Sequence, residues 1–192
     1  MSKYIERQKM NEGITQELIR RFKQGEEKAF NELVNLYKKR ILNLVFRMVR
    51  NKEDAMDLAQ EVFVKVYHSL KDFRGESSFF TWLHRIAVNL SLNFTQRDRF
   101  RSFISLPDLT QPVLSSDSPL KDFEKKQISE AIDQAVLSLP KKQKAVFVLR
   151  HYQELQYSEI AEVMGKSEGA VKANYFQALK KLKKSLAYFE EW

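Results

Sequence analysis

Cysteine is absent from the 192 residues, so neither a disulfide framework nor a thiolate metal site can be built. Glycine and proline are scarce, at five and four residues, while Leu, Lys, Glu, Ala and Phe are plentiful, and an all-α protein is the expectation. Nowhere do about 18 apolar residues run together, and the opening Met-Ser-Lys-Tyr-Ile-Glu-Arg-Gln-Lys has no apolar run behind its charges. The expectation is a soluble, cytoplasmic protein. His68, His84 and His151 stand far apart, with no HExxH, no phosphate-loop glycines and no triad signature, and each is expected to be a surface or half-buried imidazole. The carboxylates Asp57 and Glu61 are four residues apart, but no histidine, lysine or metal set converges on them. No enzymatic activity, cofactor, metal or small-molecule substrate is expected. The formal net charge of +8 points instead to a polyanionic partner, nucleic acid or anionic membrane.

The stretch from Phe73 to Arg97 joins a short polar loop to a helix with two unlike faces. Ser77 or Ser78 suits the N-cap. Phe79, Leu83, Ile86, Leu90 and Phe94 then follow at steps of four, three, four and four, the spacing of a stripe that faces a core. Arg85, Asn89, Asn93 and Arg97 recur every four residues on a second face. Amides can read base edges as donor and acceptor, and guanidinium groups suit phosphates. Phe73, Arg74 and Gly75 in the loop, with Trp82 in the first turns of the helix, set aromatic planes beside positive charge. Stacking on aromatics is worth roughly 1–3 kcal/mol per base, comparable with the roughly 1.4 kcal/mol of one DNA stacking step, so such a set suits unpaired bases. In isolation the same helix would read as an ordinary core helix with a polar outer face.

The wording is more particular than the pattern. Phe73-Arg-Gly-Glu-Ser-Ser-Phe79, followed by Thr81-Trp-Leu83 and Arg85-Ile-Ala-x-Asn89, resembles regions 2.3 and 2.4 of the extracytoplasmic-function (ECF) sigma factors of bacterial RNA polymerase. Asp54-Ala-Met-Asp57-Leu-Ala-Gln60-Glu61-Val-Phe63 resembles region 2.2 of the same family. The resemblance implies that Asp57, Gln60 and Glu61 grip the β′ clamp helices of core polymerase, a contact that charge complementarity would steer. Without it, these acids read as a solvated helix face.

Elsewhere the chain supplies helices. Residues 1 to about 13 are polar and expected to be ragged. A short helix is predicted from Thr15, as its cap, to Gln24, with Leu18, Ile19 and Phe22 inward and Gly25 as the stop. A long core helix over Glu26–Val49 places Phe30, Leu33, Tyr37, Ile41, Leu44 and Met48 inward, and Asn51 caps a third that buries Leu58, Val62, Val66 and Leu70. Three of the four prolines, Pro107, Pro112 and Pro119, fall among serines after Arg101. Residues 102–121 therefore read as an extended linker, either a plain spacer or, by the resemblance, a strand threaded through polymerase toward the RNA exit path.

Helical signal then returns with Ile128, Ile132, Val136 and Leu139 as an inward stripe, and Pro140 suits the first position of a helix carrying Val146, Phe147 and Leu149. Tyr157-Ser-Glu-Ile-Ala-Glu-Val-Met164, a turn at Gly165-Lys166 and the cap Ser167 form a helix-turn-helix signature. In its second helix Val171, Tyr175, Ala178, Leu182 and Leu186 face inward, and Lys172, Phe176, Lys180 and Lys183 project. This half resembles sigma region 4, which implies that Lys172, Ala173, Phe176, Gln177 and Lys180 meet the −35 duplex. Ala173 and Gln177 stand where many relatives carry arginine and serine or threonine, so the preferred duplex sequence is left open.

The reading is an all-α chain of two small helical domains: residues 1–101 for core polymerase and the −10 element, 122–192 for the −35 element. Arg85 and Arg97 would hold backbone, and Phe73, Asn89 and Asn93 would take bases. The implied partners are the core polymerase (β′ clamp helices and β flap), promoter DNA and a cognate anti-sigma factor, often membrane-anchored. The alternative is a helix-turn-helix regulator acting without polymerase, which leaves Phe73 to Arg97 unexplained.

Overall fold

The computed structural model describes the backbone of residues 2–102 and 121–187, and side chains within 12–97 and 128–187. The predicted linker of residues 102–121 lies, but for its two end residues, outside the described residues. Among the described residues every regular element is helical, in the order α1 (Ser2–Lys23), α2 (Glu27–Val49), α3 (Lys52–Ser69), α4 (Phe79–Ser102), α5 (Lys121–Ser138), α6 (Lys141–Phe147), a π-helical turn (Val148–Tyr152), α7 (Tyr157–Met164) and α8 (Glu168–Leu186).

Helix α2 is the axis of the N-terminal half, packing against α1, α3 and α4. It buries Ala29, Leu33, Tyr37, Ile41, Leu44, Val45 and Met48, and a fully buried aliphatic side chain contributes roughly 1.5–3 kcal/mol. Its punctuation follows backbone chemistry. Gly25 takes φ +99° at the joint with α1, a region that glycine enters without steric cost, and Arg50 ends α2 at φ 62°, its N–H on the Phe46 carbonyl. Asn51 Oδ1 then accepts from the amides of Glu53 at 2.8 Å and Asp54 at 3.1 Å, starting α3 as expected. Leu58, Val62, Val66 and Leu70 are all buried.

Helix α1 differs from the expectation. It begins at Ser2, so residues 2–14 are helical where a ragged lead was predicted, and Thr15 is not a cap. Thr15 lies in mid-helix, buried, with its hydroxyl 2.9 Å from the Tyr37 hydroxyl. A polar segment gives no apolar period to read, yet it propagates readily from a turn whose Leu18, Ile19 and Phe22 are already packed.

In the C-terminal half, α6 and α7 pack on α8 and α5 crosses α8. Val136 and Leu139 are buried, Ile132 is half-buried, and Ile128 is 45% exposed, against the expectation of four inward residues. The stripe omitted two buried α5 residues, Asp133 and Ala135. Pro140 is the residue before α6 rather than its first position. Val146, Phe147 and Leu149 are buried as expected, though Leu149 sits in the π turn, where Gln153 N–H reaches the Val148 carbonyl at 3.2 Å and the wider coil shifts the following side chains out of α-helical register.

The helix-turn-helix forms where its signature lies. Gly165 adopts φ +60°, Lys166 N–H closes on the Ala161 carbonyl at 3.0 Å as a left-handed C-terminal turn requires, and Ser167 Oγ accepts from Ala170 N–H at 3.3 Å. Buried Ala161, Val171, Ala178 and Leu182 hold the two helices together.

The two halves are docked on one another, α2 against the π turn and α4 against α7. Asp133 of α5 takes Arg47 Nη1 at 3.2 Å on one oxygen and Arg50 Nη2 on the other. Arg40 reaches the side-chain oxygen of Gln153 at 3.1 Å and its backbone carbonyl at 2.8 Å. Lys144 Nζ lies 3.3 Å from the Met48 carbonyl, and the Arg47 guanidinium covers the Tyr152 ring at 4.2 Å.

Candidate nucleic-acid and polymerase interface

Helix α4 is placed from its first turn. Ser78 Oγ accepts from Thr81 N–H at 3.1 Å, which selects Ser78 over Ser77 as the cap. Phe79 and Leu83 are buried with Ala87, Val88 and Ser91, and Ile86, Leu90 and Phe94 are half-buried. The opposite side leaves Arg85, Asn89, Asn93 and Arg97 exposed, so the predicted polar stripe stands clear of its own bundle. Asn89, Asn93 and Arg97 face solvent, whereas Arg85 Nη2 donates to the Glu162 carbonyl at 2.7 Å.

The loop before α4 is tied to the core. Lys23 Nζ donates to the Phe73 carbonyl at 2.6 Å, and Gly75 takes φ +75°. Phe73 packs on Trp82 at 5.0 Å and on Phe79 at 6.0 Å, and Phe79 continues to Tyr37 at 5.4 Å. Phe73 and Trp82 are each half-buried, and Arg74 is exposed. The aromatic set is thus the outer end of a core stack, with part of each ring open for a further plane.

His84 departs from the expectation of a surface or half-buried imidazole, because it is wholly buried in α4. Its ring packs against that of Phe80 with centroids 3.9 Å apart and planes tilted by 35°, Nδ1 is 2.8 Å from the Phe80 carbonyl, and Nε2 meets no protein partner among the described residues. Burial, with the nearby Arg40 charge, pushes its pKa down to about 3, so the ring is neutral. His68 and His151 are exposed.

On α3, Asp57, Gln60 and Glu61 are exposed together. Gln60 also edges a shallow apolar depression of about 400 Å³ formed by Phe30, Phe63, Val64, Tyr67 and His68. Val64, which sequence reasoning missed, is 49% exposed. Its signal was a β-branched residue off the buried stripe and one turn from the acids. A polar rim around an apolar centre is the make-up of a protein-binding surface.

On α8, Lys172, Ala173, Phe176, Gln177 and Lys180 are all exposed, and Phe176 is 63% open. Lys172 pairs with Glu168 at 3.3 Å, an exposed i,i+4 bridge that yields readily to a stronger anion. Asn174 is turned back onto the Ala170 carbonyl at 2.8 Å and is not part of the outward row. No group of three or more His, Cys, Asp or Glu that could hold a metal occurs among the described residues.

Two family profiles match the chain. "Sigma-70 region 2" covers residues 33–101, and "Sigma-70, region 4" covers residues 129–182. The RNA polymerase sigma-H factor of Pseudomonas aeruginosa is 34% identical over 89% of this chain and 93% of its own length. The ECF RNA polymerase sigma-E factor of Escherichia coli K12 is 37% identical over 88% of this chain and 93% of its own. The chain belongs to the ECF group of the sigma-70 family. As an alternative sigma factor it directs transcription initiation with RNA polymerase, an initiation factor rather than a catalyst. Solved sigma factors share its fold: CnrH, in a complex with the cytosolic domain of CnrY, aligns at TM-score 0.65 and 23% identity over 91% of this sigma factor and 98% of CnrH. RpoE of Bartonella quintana, in a complex with the anti-sigma factor NepR, aligns at TM-score 0.62 and 19% identity over 83% and 98% of the two chains. The polymerase and promoter partners expected from the sequence are those of this family.

Proposed function

We propose a division of labour among three surfaces. The α3 patch of Asp57, Gln60 and Glu61, with the apolar depression that Gln60 edges, docks on the β′ clamp helices of core polymerase. The α4 stripe and its loop receive the −10 element as its strands part. Arg85 and Arg97 hold backbone phosphates, Asn89 and Asn93 select base edges, and Phe73, Arg74 and Trp82 offer stacking and charge. The outward row of α8, Lys172, Ala173, Phe176, Gln177 and Lys180, fixes register on the −35 duplex. Residues 1–101 and 122–192 then act as separate reading domains, joined by residues 102–121, with the C-terminal one also meeting the β flap.

The observation that carries this reading is the exposure of Asn89, Asn93 and Arg97 on one side of a helix whose other side is core. An extruded base is selected by hydrogen bonds to its edges, while the unpairing cost is a few kcal/mol whichever base is present, so exposed amides beside an aromatic loop supply sequence choice. The sigma factor works in the cytoplasm and has no chemistry of its own. A cognate anti-sigma factor, often membrane-anchored in this family, covers its polymerase-binding surfaces until released. No helix among the described residues is long and apolar enough to cross a membrane.

Run-off transcription with purified bacterial core polymerase over a promoter library tests the reading. The expected result is a set of start sites sharing two spaced elements. Absence of any start-site selection, or tight sequence-specific duplex binding by the chain without polymerase, would favour an ordinary helix-turn-helix regulator instead.

A further inference from the structure

The loop from α3 to α4 is fastened at its two ends and free between them. Phe73 N–H donates to the Leu70 carbonyl at 3.2 Å, and Ser78 Oγ accepts from Thr81 N–H at 3.1 Å. Among the described residues, Arg74, Gly75, Glu76 and Ser77 make no backbone hydrogen bond, and Gly75 stands at φ +75°. Local bonds therefore leave the course of this segment open. A distant group constrains it: Lys23 Nζ, 50 residues back, donates to the Phe73 carbonyl at 2.6 Å. That oxygen shares a planar peptide unit with Arg74 N–H. Holding it sets the plane from which Arg74 and Gly75 leave, and with it the seat of the Phe73 ring on Trp82 and Phe79.

The lysine is presented from a firmly seated helix end. It is the last residue of α1, next to Phe22, which is buried and meets Phe30 at 5.5 Å and Tyr67 at 5.4 Å. Arg21 Nε donates to Glu26 at 2.8 Å across the joint, and Gly25 N–H closes on the Phe22 carbonyl at 2.9 Å. An exposed lysine usually leaves its ammonium in water, because ordering so long a side chain costs entropy. Lys23 instead spends a charged donor, one of the stronger kinds of hydrogen bond, on a single loop carbonyl.

We infer that Lys23 is a positioning residue for strand capture: it fixes the shape in which the loop after Phe73 meets an extruded base, without itself holding phosphate. The inference rests on α4 and its loop being the −10 surface. An extruded base is chosen by hydrogen bonds to its edges, and such bonds are directional. A loop free to turn about Phe73 would still attract the strand through Arg74 but would choose less well among bases.

Lys23→Met keeps the apolar stem and removes the donor, and Lys23→Arg keeps a charged donor that can reach the carbonyl; both change an exposed side chain. Holoenzymes carrying the parent chain or either variant are compared by run-off transcription over a library randomised in the −10 element. Lys23→Met should reduce the preference for the favoured base by about fivefold at the position the loop meets, the lower end of what bonding or stacking one base is worth. Co-purification with core polymerase and −35 preference should stay as in the parent, and Lys23→Arg should keep most of the −10 preference. For holoenzyme on a fluorescent −10 single strand, the slope of log K against log salt should be unchanged in Lys23→Met, whereas a lost phosphate contact would flatten it by about 0.7.

Trp82 gives a readout that needs no DNA. A Trp192→Phe background leaves it as the one tryptophan, and acrylamide should quench it more in Lys23→Met than in the parent or in Lys23→Arg. Quenching or base preference unchanged in Lys23→Met, preference lost to the same degree in Lys23→Arg, or a flattened salt slope with preference intact would each overturn the assignment. Quenching raised in Lys23→Met alone, in a chain giving no start-site selection with core polymerase, would uphold the tether and count against the function proposed above.

Discussion

His84 offers a quantitative check on how α4 is seated, because its protonation state is coupled to folding. The imidazole is buried, with Nε2 unpartnered among the described residues, and its folded pKa is pushed down to about 3. The unfolded chain presents an ordinary histidine with a pKa near 6.5. Between these values the unfolded state binds one more proton than the native state, so stability rises with pH by about 1.4 kcal/mol per unit. His84 thus contributes its full share above the unfolded value, and that share is lost as pH falls from 6.5 toward 3. From about pH 7.5 to 5.0 the loss amounts to about 2 kcal/mol. Urea unfolding of the parent chain and of His84→Leu at both pH values isolates the effect, since other titrating groups are common to both. The parent should lose about 2 kcal/mol more than the variant over that span. Equal losses would show that water or a partner reaches the ring, and that α4 is not packed as described.

Gly165→Ala should cost roughly 1–2 kcal/mol, because Gly165 holds φ +60° while an added Cβ would meet nothing within 4 Å; an unchanged urea midpoint would contradict the left-handed turn between α7 and α8. Asp57→Lys with Glu61→Lys changes two exposed side chains and should leave stability within about 1 kcal/mol while abolishing co-purification with core polymerase, and normal co-purification would refute the α3 docking surface. Lys172→Ala should weaken −35 duplex binding to a similar degree across sequences and flatten the dependence of log K on log salt by about one unit; an unchanged slope would remove Lys172 from the phosphate contacts.

Much of the architecture could be read locally. Asn51, Ser78, Gly165 and Ser167 each terminate or start a helix through a hydrogen bond or a backbone angle that the residue type itself favours, and all four act as expected. The α4 stripe was legible because apolar and polar residues kept separate helical faces. What escaped was non-local. Thr15 is buried by a bond to Tyr37, 22 residues away, and Asp133 is buried by arginines 86 and 83 residues away. Neither leaves a trace in any local period. Ile128 belonged to an apolar series that runs past the packed end of α5, so the series alone overstated the core. His84 was judged as an isolated residue, although the neighbouring Phe80 ring and the α4 register together enclose it. The docking of the two halves was invisible for the same reason, since it is built from charged groups that in sequence look solvated.

The central claim is that the exposed amides of α4 read opened −10 DNA. Its most direct test compares run-off transcription by core polymerase with the parent chain and with Asn89→Ala/Asn93→Ala, at sigma concentrations that saturate core binding. The account predicts that the double variant still associates with polymerase but loses most output from promoters selected by the parent, with the loss reduced on templates whose −10 region is already unpaired. Unchanged output and unchanged promoter choice would contradict it.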